Sequence, residues 1–276
     1  MINVTDYHRH WAHVDMAEWA LVEIAVLTAV HAGYTRFLPA AWRSLCAQTY
    51  PDWSWYVQVD GARSPEVVGT LIGCGAADDP RLRLGFNGTR EGPAVTRNVA
   101  LGRIAAPLVQ NLDADDELEP NALATLGAAL ATQPSAGFAV GPARDLLGSG
   151  ELRSFPWDFP AGPLARGALV DAWITTPDTY RVPVHPAGVL WRRDLLLAAG
   201  GWAALRGMED TALLMSASAL AAGVVVDAPT LRYRKHHLQH STRPSIFEGG
   251  GEQISLVRAR AEALLLGPGW LAAPAH

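Results

Sequence analysis

From residue 24 to residue 131, short apolar runs alternate with segments of helical spacing, and that alternation limits the fold more than any other feature. Residues 24–28, 53–59, 82–84 and 108–112 have the near-continuous apolar character of buried strands. Between them, 35–47, 65–72 and 93–104 repeat apolar positions at helical intervals, and 120–131 reads as a helix opened by Pro120. Strands separated by helices pair in parallel, so a three-layer α/β sheet is expected. In such sheets ligands bind beyond the carboxyl ends of the strands. Thr28, Asp60 and Asp113 all stand at such ends.

The second half is less regular. Strands are expected at 138–140, 189–191, 224–226 and 231–234, and helices at 193–199, 209–222 and 254–266. Residues 144–184, rich in Gly, Pro and aromatics, read as one long connection that shapes a pocket. Residues 1–20 show no period and read as an N-terminal arm.

Bulk properties exclude several classes. With 22 basic against 27 acidic residues, the net charge is -5, so the electrostatic footprint of a nucleic-acid binder is missing. Cys46 and Cys74 have no metal-ligand spacing, and a reducing compartment follows. The apolar stretch 20–31 is too short to span a bilayer, contains Glu23 and lacks a signal-peptide cleavage site. A cytoplasmic protein is therefore expected, its oligomeric state open to a homodimer. Gly73-Cys74-Gly75 begins like a dinucleotide fingerprint, but Asp78 stands where its third glycine belongs. No Walker motif, EF-hand or nucleophile elbow is present.

The strand at 108–112 ends in Asp113-Ala114-Asp115-Asp116-Glu117. Clustered carboxylates repel one another unless a cation or strong donors bind there. The D-x-D spacing of Asp113 and Asp115 suits Mg²⁺ or Mn²⁺, which completes its shell with water and substrate phosphate. The bland alternative is an acidic turn that favours the start of the next helix.

These elements, in this order, resemble family-2 glycosyltransferases of the GT-A fold, in their non-processive bacterial form. The resemblance rests on residues 34–51 after the first strand, Val57-Gln58-Val59-Asp60-Gly61, and Gly92-Pro93-Ala94-Val95-Thr96-Arg97-Asn98. It continues through Leu112-Asp113-Ala114-Asp115-Asp116, Gly200-Gly201-Trp202 and Met208-Glu209-Asp210. Three departures stand out. Thr28-Ala29-Val30-His31 replaces the usual Pro-Thr-Tyr-Asn, the aspartate pair of the second strand is reduced to Asp60, and the Q-x-x-R-W signature of processive synthases is not met.

The resemblance implies a GT-A-type (Rossmann-like), mostly parallel sheet flanked by helices, with a smaller acceptor-side subregion. It divides the chain into an arm (1–20), a glycosyltransferase domain (21–245) and a C-terminal helix and tail (246–276). Within the domain, 21–120 would hold the nucleotide sugar and 121–245 the acceptor. The implied activity is metal-dependent, inverting transfer from a nucleotide-diphosphate sugar to a hydroxyl of a small-molecule or glycan acceptor. A UDP-sugar is favoured over GDP- and dTDP-sugars, and bacterial secondary-metabolite or cell-envelope biosynthesis is the expected setting. Asp210 would be the base and Glu209 its partner. Thr28, His31, Asp60, Arg97, Asn98 and Asp113 would meet the donor nucleotide, Asn98 alternatively fixing a loop. Asp115, with Asp113 and His236 or, alternatively, His237, would hold Mn²⁺ or Mg²⁺, assisted by Asp116. Sugars stack on aromatic rings, so Trp157, Trp173 and Trp202 are acceptor-site candidates. The competing readings are a non-catalytic nucleotide- or carbohydrate-binding module and a sugar-nucleotidyltransferase. The latter would need a glycine-rich loop that residues 29–36 lack.

Overall fold

The computed structural model describes residues 22–176, 179–237, 239 and 250–267. The arm expected at 1–20 lies outside them. Strands β1 (Ile24–Val30), β2 (Trp53–Val59), β3 (Leu82–Phe86) and β4 (Leu108–Asn111) lie in the order β3-β2-β1-β4, all parallel. They are joined through α1 (Leu38–Cys46), α2 (Pro65–Gly73) and α3 (Pro93–Arg103), with a 3₁₀ turn (Ala32–Phe37) entering α1. Along β1, Ile24 and Val26 enter one core while Ala25 and Leu27 enter the other. A strand covered on both faces has no polar side, which is why it reads as a continuous apolar run. Two helices start as their sequences require. Ser64 Oγ caps α2 by accepting from Val67 N, with Pro65 next, and Pro93 opens α3 behind Gly92 at φ +90°.

After β4 come β5 (Glu117–Leu118) and α4 (Ala122–Thr132). Pro120 does not open α4. It lies in the preceding turn, where its carbonyl accepts from Thr49 N at 3.0 Å, and Asn121 takes the cap position. Strand β6 (Ala136–Val140) follows.

Residues 144–184 are not a single connection. The region holds β7 (Ala143–Leu146), β8 (Leu152–Arg153), β9 (Gly162–Leu164), α5 (Ala168–Ala172) and the hairpin β10 (Ile174–Thr176)–β11 (Thr179–Arg181). Elements this short span too few residues to develop a period. The chain continues through β12 (Leu190–Arg192), α6 (Arg193–Ala198), α7 (Glu209–Leu220), β13 (Ala222–Val225), β14 (Leu231–Arg234) and α8 (Gly250–Leu266).

The complete main sheet runs β3-β2-β1-β4-β12-β6-β13-β9. It is mostly parallel, but β12 runs antiparallel between β4 and β6, and β9 is antiparallel to β13. A smaller sheet, β5-β14-β7-β8, flanks the carboxyl end of β4. Helix α7 is buried on nearly all sides: past its acidic first turn it carries only apolar side chains and the small hydroxyls of Thr211, Ser216 and Ser218. Helix α8 buries Val257 and Ala261 in the same core, and Arg260 donates to the Ala199 carbonyl at 2.6 Å. Among the described residues no helix is long and apolar enough to cross a membrane.

Candidate active site

A cavity of about 420 Å³ opens where β1, β2 and β4 end. Its wall includes His31, Asp60, Asp113 and Asp115 from those strand ends, Arg97 from α3, and Glu209 and Asp210 from the first turn of α7. Residues more than a hundred positions apart thus share one cleft, and a single guanidinium ties them together. Arg97 Nη2 donates to Asp113 Oδ1 at 2.7 Å, while Nη1 donates to Glu209 Oε1 at 3.3 Å and lies 3.4 Å from Asp210 Oδ1. Burial opposes the charge of Arg97, but Asp210, Asp113 and Glu209 outweigh it and raise its pKa.

The same rise in pKa disfavours the charged form of Asp210. Burial raises its pKa to about 7, and Glu209 and Asp113 push the same way against Arg97 and the Trp202 indole. About a fifth (22%) of its side chain remains accessible. Trp202 Nε1 donates to Asp210 Oδ1 at 2.7 Å. Trp202 is in turn held by Asn98, whose amide donates to the Trp202 carbonyl and accepts from Trp202 N, both at 2.9 Å. Gly201 makes this clamp feasible. It sits at φ +67°, and a Cβ there would come within 2.2 Å of Asn98 Oδ1. Asn98 therefore fixes the Gly-Gly-Trp loop and does not line the cleft.

Asp115 Oδ2 lies 2.8 Å from His236 Nε2. Burial, then Asp113, raises the pKa of Asp115, and His236 opposes the shift. Asp116 points away from the cavity, accepting from Arg234 N at 2.9 Å. Its burial and the neighbouring Asp115 and Asp113 push its pKa well above the carboxylate range, so it backs the wall instead of assisting at its surface.

The other expected donor contacts divide. Thr28 is fully buried below the cleft, donating to the Leu112 carbonyl at 2.8 Å and accepting from Trp55 Nε1 at 2.9 Å, so it joins strands and touches no ligand space. His31 lines the cleft, and its Nδ1 caps the 3₁₀ turn by accepting from Gly33 N. Asp60 also lines it, but its carboxylate accepts from Glu91 N at 2.7 Å and Gly92 N at 3.1 Å, pinning the loop that enters α3. None of the three tryptophans expected at an acceptor site lines the cavity. Trp157 packs against Phe159, Trp173 is buried under Arg258, and Trp202 stands behind Asp210. A packed tryptophan and a stacking one have the same sequence signature. The cleft also contains His185 and Tyr233, which the sequence reading passed over. The only local signal at His185 is the proline that follows it.

With this geometry established, the comparisons with known proteins decide the family. The profile of the family described as "Glycosyl transferase family 2" matches residues 27–164, half of the chain. The chain belongs to this family. A curated relative, the O-antigen biosynthesis protein RfbC of Myxococcus xanthus, is 28% identical over 111 residues, which is 40% of this chain and 9% of that protein. The chain thus spans a small fraction of that relative's length. The structure of S. aureus TarS 1-349 in complex with UDP-GlcNAc superposes with a TM-score of 0.63 at 17% identity, covering 88% of this chain and 70% of TarS 1-349. The UDP complex gives 0.61 at 17% identity, covering 88% and 69%. These likenesses establish a GT-A-type α/β fold for the family member described here.

Members of this family commonly use a divalent metal. Among the described residues no three His, Cys, Asp or Glu side chains form a preformed cage. The donor set nevertheless fits an open site. Asp113 and Asp115 both face the cavity, and Mg²⁺ or Mn²⁺ needs only one or two carboxylates when water and phosphate supply the rest. His236 stands beside Asp115, placed to orient that carboxylate.

Proposed function

We propose that this protein transfers a sugar from a nucleotide-diphosphate sugar, a UDP-sugar in the first instance, to an acceptor hydroxyl with inversion at the anomeric carbon. One observation carries the reading: Arg97 gathers Asp113, at the end of β4, and Asp210, a carboxylate with a pKa of about 7, into one water-accessible cavity. A base with that pKa is poised for proton abstraction near neutrality.

In this reading residues 21–120 hold the donor and 121–245 shape the acceptor side. The acceptor oxygen bonds to the anomeric carbon as its proton passes to Asp210, and the bond from that carbon to the β-phosphate oxygen breaks. The electron pair leaves with the nucleoside diphosphate. Trp202 holds one oxygen of Asp210, and Glu209 helps keep Arg97 in place between the carboxylates. Asp115 and Asp113 would hold Mn²⁺ or Mg²⁺, which would neutralise charge developing on the leaving diphosphate. The TarS complexes with UDP-GlcNAc and UDP favour uridine as the base, and the name of the M. xanthus relative favours a cell-envelope glycan as acceptor.

The test is calorimetric binding of UDP, GDP, dTDP and CDP, each with Mn²⁺ or with chelator. Binding of UDP that requires metal is expected. Failure of all four diphosphates under both conditions would remove the donor reading.

A further inference from the structure

We propose that His185 reads the sugar of the donor, its Nε2–H donating a hydrogen bond to a sugar hydroxyl oxygen. The inference rests on the donor reading above and adds a residue that neither the motifs nor the family match single out.

The geometry starts with the backbone. His185 caps the 3₁₀ turn Pro186–Gly188, its Nδ1 accepting from Ala187 N at 3.3 Å. An imidazole that accepts at Nδ1 carries its proton on Nε2. The ring packs against Tyr233, with centroids 4.2 Å apart, and lines the cavity beside Val182, Pro186 and Ala187. Among the described residues Nε2 has no hydrogen-bond partner. The ring is thus fixed by a cap on one edge and by an aromatic face, and it lines the cleft with its other nitrogen unpaired among the described residues.

The surroundings select the ligand. Burial lowers the His185 pKa to about 4, outweighing the upward pull of Asp113 and Asp145, with Lys235 adding to the downward shift, so the donor stays neutral at physiological pH. The rest of the cleft is rich in carboxylates: Asp60, Asp113, Asp115, Glu209 and Asp210. Sugar hydroxyls that donate to such groups still need donors for their own lone pairs, and a neutral N–H supplies one. The position also fits. His185 lines the same cavity as Asp113 and Asp210, and Asp113 is the charged group whose field it feels most. A capping role alone does not call for a histidine lining the cavity. Asn, Asp or Ser would cap as well or better.

Two variants separate the roles. His185→Asn keeps a capping acceptor but is too short to reach the cleft. His185→Gln carries an amide N–H near the position of Nε2 and loses the short cap. Each would be tested with Mn²⁺ by calorimetry against UDP and against the tightest-binding member of UDP-glucose, UDP-galactose and UDP-N-acetylglucosamine, alongside thermal unfolding. For His185→Asn we expect an unchanged midpoint and UDP affinity, with UDP-sugar affinity reduced roughly 2- to 12-fold, the range for one neutral hydrogen bond. His185→Gln should recover part of that loss. UDP-sugar affinity equal to the parent's in His185→Asn, or an equal loss for UDP and UDP-sugar, would overturn the assignment. A parent that binds neither UDP nor any of the three UDP-sugars would instead overturn the donor reading on which it rests.

Discussion

Arginines and carboxylates meet in two networks of this protein, in opposite proportion. Around Arg97 one cation faces three anions, Asp113, Glu209 and Asp210, with Asp115 nearby in the same cleft. In the small sheet three cations, Arg144, Arg232 and Arg234, share two anions, Glu117 and Glu119. The second network crosses the strands: Arg232 reaches Glu119 at 2.9 Å and Glu117 at 3.7 Å, Arg144 takes the other oxygen of Glu119, and Arg234 takes Glu117. Its acids are fully paired, so it holds β5, β7 and β14 together and leaves nothing to react. The first network is short of positive charge. Its carboxylates open on a cavity, and Glu209 and Asp113 add to the burial that raises the pKa of Asp210. Density of charge is therefore a poor marker of a site here, whereas imbalance of charge in a cleft is a good one.

The sharpest test of that contrast is Asp210→Asn. Loss of the base should lower kcat about 10²- to 10⁴-fold while UDP-sugar binding stays near the parent's. Steady-state rates and calorimetry on the same preparation measure both, and a kcat equal to the parent's would remove Asp210 from the mechanism. Asp115→Ala should next abolish the Mn²⁺-dependent part of UDP binding while leaving binding in chelator unchanged. If titrations with and without Mn²⁺ differ as much in the variant as in the parent, the open metal site lies elsewhere. Glu119→Gln should do the reverse of both. Arg144 and Arg232 lose a shared charged acceptor that is itself buried, so urea unfolding should show a loss of about 1–3 kcal/mol with kcat essentially unchanged.

The same contrast explains what could be read from the sequence. The first half of the sheet was legible because β1, β2 and β4 are covered on both faces, and each ends where a chemically capable residue stands: His31 after β1, Asp60 after β2, Asp113 after β4. Glu209 and Asp210 were found as a motif, but nothing in the sequence joins them to Arg97. That contact spans 112 positions and depends on β12 entering the sheet antiparallel beside β4. Thr28 and Asn98 were placed correctly along the chain and wrongly in depth, since a strand-end hydroxyl and a helix amide serve backbone and ligand equally well. Trp202 shows the same ambiguity: ring chemistry suggested a sugar platform, whereas the structure directs its indole nitrogen at Asp210, at 2.7 Å. His185 was missed because a cap in front of a proline carries no catalytic pattern.

Trp202→Phe yields the smallest predicted effect and the most specific one. Phenylalanine keeps most of the ring in a site where the side chain is almost wholly buried, but it removes the N–H that favours ionised Asp210. The base works only when ionised, so kcat should rise with pH along an acid limb set by Asp210. Burial, with Glu209 and Asp113, places that group near 7, and a cation beside Asp113 should draw the limb lower by cancelling part of the field that raises it. Against the parent under the same metal, Trp202→Phe should move the limb upward by roughly half a unit to one unit, the size of one hydrogen bond. The folded-state pKa lies above the ordinary value of 3.8, so the associated stability is full below about pH 4 and is lost as pH rises through about 7. That loss should be steeper at the upper end in Trp202→Phe and absent in Asp210→Asn. A variant that is merely slower, with its acid limb where the parent's lies, would show that the indole only fills space, and the unbalanced network would then end at Arg97.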